Sequence, residues 1–495
     1  MAPRARSRKP HVDGQYAAPH LWLALVKSHG YLIDARASFA KAFALRAGLG
    51  AANRVLLSAL VPCVQADPID DLECESRLAR AATASPRNAH LWFELARHRW
   101  NREGSSQAVV DAFDRALRAD PKFVMPRFAK GQALAYLGRF DEALVTVDEC
   151  LRMVPGATAC LHDRIWINAH RGDCAAVQAD ARRWQAAAPA DTLAYAYLAS
   201  TALARGDPLD TVAELLRQGS DRAPEAERAF FRARDRTLLA VMDGDFAAAL
   251  RDVEALEATL AHLPDRASRL LAPRIRIFIA LETGDRREAG RLAAEALRKK
   301  DAWTPDPRTE DFAIAKDFVP TLHDVLRDTG AITDAKHQEL RGAWLLEWRA
   351  RSSKAWYPFL WLAAYARNVD DEAGAIEAAA AMPEYGRPPF HPLSYPDRGL
   401  GLMYLLTGHA EQAVPFLERA AWTCHAGEYG FGIEVSWDAV RAARDLGRAL
   451  ETTGRLEAAC ASYRRVLERW GHAKPRSVTA DDARARLARL ACAPR

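Results

Sequence analysis

The residues in this chain that could carry out chemistry do not form a recognisable reactive site. The 495-residue sequence holds 14 histidines and 8 cysteines, but no His-Glu-x-x-His motif, no Cys-x-x-Cys pair and no glycine-rich phosphate loop. Cys424 and His425 are adjacent, and adjacent residues of a helix do not face each other, so they cannot share a metal or a nucleophile by themselves. We therefore expect no catalytic residue, no metal and no cofactor.

Composition points to a folded chain without a nucleic-acid or membrane surface. The net charge is only +5, from 69 basic and 64 acidic residues, whereas nucleic-acid binding needs a clustered basic face. The dense basic run from Arg4 to Lys9 predicts a disordered tail over residues 1–15. No apolar run reaches the roughly 18 residues of a membrane-spanning helix, and no apolar stretch typical of a signal peptide follows the basic start. We expect no nucleic-acid partner and no membrane insertion.

The cysteines are scattered and several fall at positions expected to face a helix interior. Free cysteine behaves there as a small hydrophobic residue. The pattern predicts reduced thiols and a cytoplasmic protein.

Glycines and prolines recur along the chain at a fixed spacing. Gly104, Gly138, Gly172 and Gly206 stand 34 residues apart, and Pro121, Pro155 and Pro189 keep the same spacing. Glycine ends a helix in the left-handed conformation at no steric cost, and proline cannot continue one. Small residues recur where two helices of a unit would cross, with bulky residues between them. The spacing predicts helix pairs, each joined by a glycine turn.

This pattern resembles the tetratricopeptide repeat (TPR), a helix-turn-helix unit. The resemblance covers most of residues 90–300 and 396–470, with strong units around Gly401 and Gly447. It implies an all-α fold, an α-solenoid of stacked helix pairs with a right-handed superhelix. We expect a basic tail at 1–15, a first repeat array at 16–300, an irregular insert with a Trp-rich helix at 301–355, and a second array with a capping helix at 356–495.

Three stretches carry a narrower resemblance: Asp301–Phe318, Arg341–Arg349 and Arg469–Leu487. Together they are similar to the C-terminal TPR region of some bacterial serine/threonine protein kinases, which is thought to serve interaction or regulation. No kinase domain is present. The strings Asp245-Phe246-Ala247, Ala223-Pro224-Glu225 and His162-Asp163-Arg164 imitate kinase motifs in the wrong order or inside repeat helices.

The candidate site is the groove that the first helices of successive repeats would line. The residues predicted to face it are Glu94, His98, Phe128, Gln132, His162 and Trp166. This mixed aromatic and polar set lacks the lysine and asparagine with which one TPR subclass grips a peptide carboxylate, and it suits a helix or an extended segment. A second candidate surface is the aromatic cluster Trp344, Trp348, Trp356, Tyr357 and Trp361, for which core packing competes with partner binding.

The sequence favours a non-catalytic protein-interaction scaffold or regulatory module that binds a protein or peptide. Three alternatives stay open. One is a regulator associated with a bacterial serine/threonine kinase signalling system. The others are an enzyme with an unrecognised site on the solenoid and a structural part of an envelope or secretion assembly.

Overall fold

The computed structural model describes residues 16–28, 32–66, 70–260, 267–300, 312–352, 354–386, 395–421, 424 and 432–492. The expected tail at 1–15 and His425 lie outside these ranges. The described chain divides into two compact units, the first made of residues up to Ala133 with Phe312, the second of the remainder. Each unit is helical, and no strand is found among the described residues beyond one isolated bridge between Asp245 and Lys474.

The helices of the first unit are α1 (Ala17–Ser28), α2 (Leu32–Ala44), α3 (Ala51–Ala59), α4 (Val61–Val64), α5 (Asp71–Ala84), α6 (Ala89–Glu103), α7 (Gln107–Ala119) and α8 (Met125–Tyr136), which runs past the boundary. The second unit continues with α9 (Phe140–Met153), α10 (Thr158–His170), α11 (Cys174–Ala187), α12 (Thr192–Arg205), α13 (Leu209–Arg222), α14 (Arg228–Asp243), α15 (Phe246–Leu260), α16 (Leu271–Thr283) and α17 (Arg286–Arg298).

After residue 311 follow α18 (Phe312–Asp328), α19 (Asp334–Arg351), α20 (Tyr357–Trp361), α21 (Glu372–Tyr385), α22 (Tyr395–Leu406), α23 (Ala410–Ala421), α24 (Gly432–Thr452), α25 (Leu456–Trp470) and α26 (Val478–Arg489). Consecutive helices pack on each other in pairs. The all-α, helix-pair fold predicted from the sequence is confirmed.

The glycine spacing reports the turns correctly. Gly104, Gly138, Gly172 and Gly206 have φ between +75° and +83°, a conformation that residues with a Cβ atom rarely adopt. Gly244, Gly284, Gly408 and Gly454 repeat this geometry where the spacing lengthens and where the motif returns. Each glycine therefore ends the first helix of a pair.

The residue after the glycine often starts the second helix. The side chains of Asp173, Asp245 and Asp285 accept a hydrogen bond from the backbone N–H three residues on, as helix N-caps do. Asp207 also follows a turn glycine but does not cap its helix, because Pro208 takes the cap position of α13.

Two stretches differ from expectation. The part of the expected irregular insert that is described contains two regular helices, α18 and α19, joined by a short turn at Gly330. The prolines between Met382 and Pro396 favour a loop over a helix interior, but this stretch is helical at both ends. Pro383 lies inside α21, in its last turn, where it removes one N–H from the helix hydrogen bonds. Pro396 lies in the first turn of α22, where a missing N–H costs little.

The aromatic cluster is largely core. Trp344, Trp348 and Trp361 are buried, and the Trp361 indole donates to the backbone oxygen of Ala378 at 2.8 Å. Trp356 and Tyr357 are half-buried. Packing between helices thus accounts for the three most buried tryptophans.

The cysteines correct the expectation of free thiols. All eight pair, as Cys63–Cys74, Cys150–Cys160, Cys174–Cys424 and Cys460–Cys492. The Cα–Cα separations of 5.0–6.4 Å lie within the range usual for disulfides. Three of the pairs join cysteines 10–32 residues apart, whereas Cys174 and Cys424 are 250 residues apart.

We predict that the purified protein contains no reactive thiol before reduction. Iodoacetamide followed by mass spectrometry should label no cysteine in the denatured, unreduced chain and all eight after reduction. Labelling of the unreduced chain at Cys174 and Cys424 would contradict the long-range disulfide.

The close crossing of α24 and α25 yields a second prediction. A Cβ atom added at Gly447 would lie 2.3 Å from the Tyr463 ring, so Gly447→Ala should overpack the crossing and destabilise the chain by about 1–3 kcal/mol. Gly342→Ala is the matched control, because nothing lies within 4 Å of its added Cβ. That exposed helical site should gain about 0.5–1 kcal/mol from the better helix former. Urea unfolding measures both, and equal effects would contradict the crossing.

Candidate functional site

The predicted groove residues of the first unit lie on α6 and α8. Glu94 is buried at 3% exposure and accepts hydrogen bonds from the Arg97 guanidinium at 3.1 and 3.2 Å. Two contacts hold His98, with Nδ1 3.2 Å from the Cys74 sulfur and Nε2 3.0 Å from the Asp71 backbone oxygen. Glu94 is thus paired within α6, whereas His98 joins α6 to α5.

The other two groove residues of this unit are more accessible. Phe128 and Gln132 lie one helical turn apart on α8 and are half-buried. Residues four apart share a helix face. These two side chains thus present one apolar and one amide group on the same face of α8.

In the second unit, His162 and Trp166 belong to an aromatic cluster on α10. The His162 ring centroid lies 4.3 Å from that of Trp166 and 5.3 Å from that of Trp184. The Trp166 indole is buried and donates to the Tyr197 hydroxyl at 2.9 Å. His162 stays half-buried. The cluster packs α10 against α11 and α12, so Trp166 is a core residue of this unit.

The six predicted groove residues therefore fall in both compact units. Four of them lie in one compact unit and two in the other, and a single surface shared by all six stays a prediction. Within the separate units, Phe128, Gln132 and His162 are the members that keep side-chain exposure.

A second arrangement, which the sequence did not reveal, lies wholly within the second unit. Residues Arg465–Thr479, here called the clasp, run past the ends of three successive first helices, α12, α14 and α16. At α12, the Arg465 guanidinium donates to the Ala204 backbone oxygen at 2.5 Å and that of Arg469 to the Asp207 oxygen at 3.3 Å. The last carbonyls of a helix lack intrahelical partners and carry partial negative charge. Burial, with the charge of Arg469 nearby, lowers the pKa of Arg465 to about 10.

At α14 the clasp inserts an aromatic ring. Trp470 is fully buried and its indole N–H donates to the Val241 backbone oxygen at 2.8 Å. The backbone continues the contact, because the Lys474 N–H donates to the Gly244 oxygen at 2.9 Å. Gly244 leaves the space for this approach, since an added Cβ would lie 3.2 Å from Trp470 and Ala473.

At α16 the clasp ends on a buried carboxylate. Glu282, with 2% exposure, accepts hydrogen bonds from the Ser477 hydroxyl at 2.6 Å, from the Thr479 N–H at 3.0 Å and from the Thr479 hydroxyl at 2.9 Å. Hydrogen bonds to a charged group contribute about 1.5–3 kcal/mol each. These contacts place the start of α26 against the middle of the array.

Helix α24 also packs against the middle helices of the second unit. Trp437 stacks on Phe278 of α16 with centroids 3.9 Å apart and planes 6° from parallel. Ala196, Ser200 and Thr237, on the first helices α12 and α14, have exposures of 3% or less. The C-terminal helices thus contact α14 and α16 directly, and Arg465 and Arg469 reach the end of α12.

Part of the clasp and helix α26 had been singled out in the sequence analysis. Arg469–Leu487 was singled out for its resemblance to a kinase-linked region, and a final helix was predicted as a polar cap. The helix exists as α26, but its start docks on Glu282. The kinase-like string at Asp245 is structural as well, because Asp245 caps α15 and Phe246 is fully buried beside Trp470 at 5.5 Å.

Among the described residues, no group of three or more His, Cys, Asp or Glu side chains is arranged to hold a metal ion. None of the described helices combines the length and apolar character needed to span a bilayer.

Comparison with known proteins identifies one repeat by sequence. The tetratricopeptide repeat family matches residues 445–469, the segment that forms the end of α24 and most of α25. No curated protein matches the chain.

Solved structures similar to the chain include a tetratricopeptide repeat protein from Parabacteroides merdae ATCC 43184, with 17% identity, a TM-score of 0.39, and 53% of this chain and 98% of that one covered. The type IV pilus biogenesis factor PilW has 18% identity, a TM-score of 0.34, and coverage of 45% and 98%. A third is Naa15/Naa10 bound to HypK-THB, with 13% identity, a TM-score of 0.28, and coverage of 89% and 66%.

The contacts of Glu282 yield a prediction about the clasp. Glu282→Gln keeps the side-chain shape but replaces one acceptor oxygen with a donor, so we expect a loss of about 1–3 kcal/mol and faster amide hydrogen exchange in α26. Exchange in α6 and α7 of the first unit serves as the internal reference. Glu288→Gln, at an exposed carboxylate on α17, is the matched control and should leave α26 protected. Unchanged protection of α26 in Glu282→Gln would contradict the docking.

Proposed function

We propose that this chain is a non-catalytic scaffold whose early repeats hold a protein or peptide partner. The observation that carries the proposal is the contrast between first helices. First helices α14 and α16 are contacted by the chain's own C-terminal helices, whereas α8 keeps Phe128 and Gln132 partly exposed. Repeat arrays commonly bind partners on the surfaces that their first helices share.

The chemistry of the exposed residues indicates the kind of partner. Phe128 offers an apolar anchor, and Gln132 carries an amide group one helical turn away. Such a pair fits an amphipathic helix or an extended segment with an apolar side chain and polar backbone groups. Trp166, predicted to face the groove, is held in the core of α10–α12, so its truncation would disturb folding as well as binding.

Site-specific photocrosslinking tests the proposal. Benzoylphenylalanine placed at Phe128 and expressed in the native cell should capture a discrete protein partner. The matched control places it at Val145 on α9, a side chain 60% exposed. We expect a partner adduct at Phe128 only, and Phe128→Ala should weaken the identified partner about 30-fold, or about 2 kcal/mol. The same adducts at both positions, or none at Phe128, would contradict the groove.

Association with a bacterial serine/threonine kinase system stays a prediction from the sequence resemblance. The repeat matched at 445–469 is not particular to kinase-linked proteins, and no contact described above distinguishes a kinase partner from another protein.

The disulfides change the cellular compartment that we propose for this protein. A cytoplasmic location was predicted from free thiols, and four disulfides instead favour an oxidising compartment, because reducing cytosols keep thiols unpaired. Thiol labelling of the protein in freshly lysed native cells tests this, and free Cys174 and Cys424 would restore the cytoplasmic prediction.

A further inference from the structure

The second unit contains an unusual concentration of arginine. Arg441, Arg444 and Arg448 lie on one face of α24, because their spacing of three and four residues brings side chains together on a helix. Arg398 of α22 joins them at the carboxylate of Asp445, which is fully buried. Arg398 Nε lies 2.9 Å from Asp445 Oδ2, and the Arg444 guanidinium lies 2.6 Å from Oδ1.

The carboxylates in direct contact with this cluster do not balance its charge. Asp445 faces three guanidiniums, with Arg448 at 3.6 Å. Arg441 has only the long contact to Asp438 at 3.9 Å. Four guanidiniums therefore share two carboxylates in direct contact, which leaves two positive charges in excess.

Three further carboxylates act on the cluster through space: Asp370, Glu282 and Asp482. Glu282 is engaged by Ser477 and Thr479, and Asp482 accepts from Arg486. Asp370 is exposed. These three carboxylates reduce the excess positive charge of the cluster. Among the described residues, none of the three forms a hydrogen bond to the four guanidiniums.

The hydrogen bonds of the cluster are also incomplete. Arg398 has 5% exposure, yet its Nη2 has no acceptor among the described residues, and neither has the buried Nε of Arg441. Burial, reinforced by the charge of Arg398, lowers the pKa of the Arg441 guanidinium. An uncompensated buried cation costs several kcal/mol in a folded protein, so the arrangement calls for an anion.

Aromatic rings lie beside the arginine cluster, but solvent still reaches three of its side chains. The Arg441 guanidinium lies 6.0 Å from the Phe278 ring, which stacks on Trp437. The side chains of Arg441, Arg444 and Arg448 nevertheless retain 23%, 15% and 25% of their exposure. A small anionic group can thus reach the guanidiniums without unfolding the helices.

We propose that Arg398, Arg441, Arg444 and Arg448 form a binding site for a phosphate group, with Asp445 positioning the guanidiniums. Phosphate carries close to two negative charges at neutral pH and three acceptor oxygens when esterified. It therefore suits a site where guanidiniums outnumber the carboxylates in direct contact and two donors lack acceptors. Arginine binds such oxyanions through paired hydrogen bonds. The site lies on α22 and α24, so it does not depend on the groove around Phe128.

Calorimetry and thermal melting with inorganic phosphate test the site, in phosphate-free buffer and with sodium chloride holding the ionic strength constant. We expect phosphate to bind and to raise the melting temperature beyond the effect of chloride. Arg441→Gln should weaken phosphate binding at least about tenfold. It should also raise the melting temperature of the phosphate-free protein, because it removes a guanidinium whose Nε lacks an acceptor and whose nearest carboxylate lies 3.9 Å away. A purely structural arginine would lower it.

Arg291→Gln is the matched control, since this exposed arginine pairs with Glu288 and Glu295; it should leave phosphate binding unchanged. Arg448→Gln provides a second test in case the first variant fails to fold. A phosphoserine peptide that binds more tightly than inorganic phosphate, while its unphosphorylated form does not bind, would identify a modified protein as the source. Equal affinities would identify a free phosphate compound. Absence of any phosphate effect on the wild type, or wild-type affinity in Arg441→Gln, would overturn the proposal.

Discussion

Burial of the Trp470 indole is the interaction on which the second unit depends. The ring sits at the end of the last repeat, yet it packs 5.5 Å from Phe246 and 6.2 Å from Phe278 of the middle repeats. Its N–H is satisfied by a backbone oxygen of α14. A tryptophan buries roughly 150–250 Å², which at about 25 cal/mol per Å² stabilises the contact by about 4–6 kcal/mol.

This closure answers a problem that every repeat array has. A helix pair buries one face against each neighbour, and the terminal pair has a neighbour on one side only. Here the last pair, α24 and α25, turns its free surface toward α14 and α16. The disulfide between Cys174 and Cys424 also ties the C-terminal part of the unit to an early helix, because Cys424 lies in the segment before α24 and Cys174 starts α11. The outcome is that first helices α14 and α16 are contacted by C-terminal helices of the same chain, and that Arg441 of α24 lies near the Phe278 ring of α16.

Local features were readable from the sequence and distant ones were not. The turns at Gly104 and Gly284 follow from backbone sterics within a few residues, so the helix pairs could be predicted. The contact of Trp470 with Val241 spans 229 residues and that of Ser477 with Glu282 spans 195, and no periodic pattern encodes them. The groove positions were assigned by register alone. Register placed Phe128 on a partly exposed face, but it could not show that Trp166 would bond Tyr197 and enter the core.

A double-mutant cycle between Glu282 and Thr479 tests the docked clasp most directly. Glu282→Ala, Thr479→Ala and the double variant are compared by urea unfolding, with Glu288→Ala replacing Glu282→Ala in a control cycle. The account predicts a coupling free energy of about 1–3 kcal/mol for the first cycle and additivity within about 0.5 kcal/mol for the second. Additivity in both cycles would contradict a C-terminal segment held on the middle of the array.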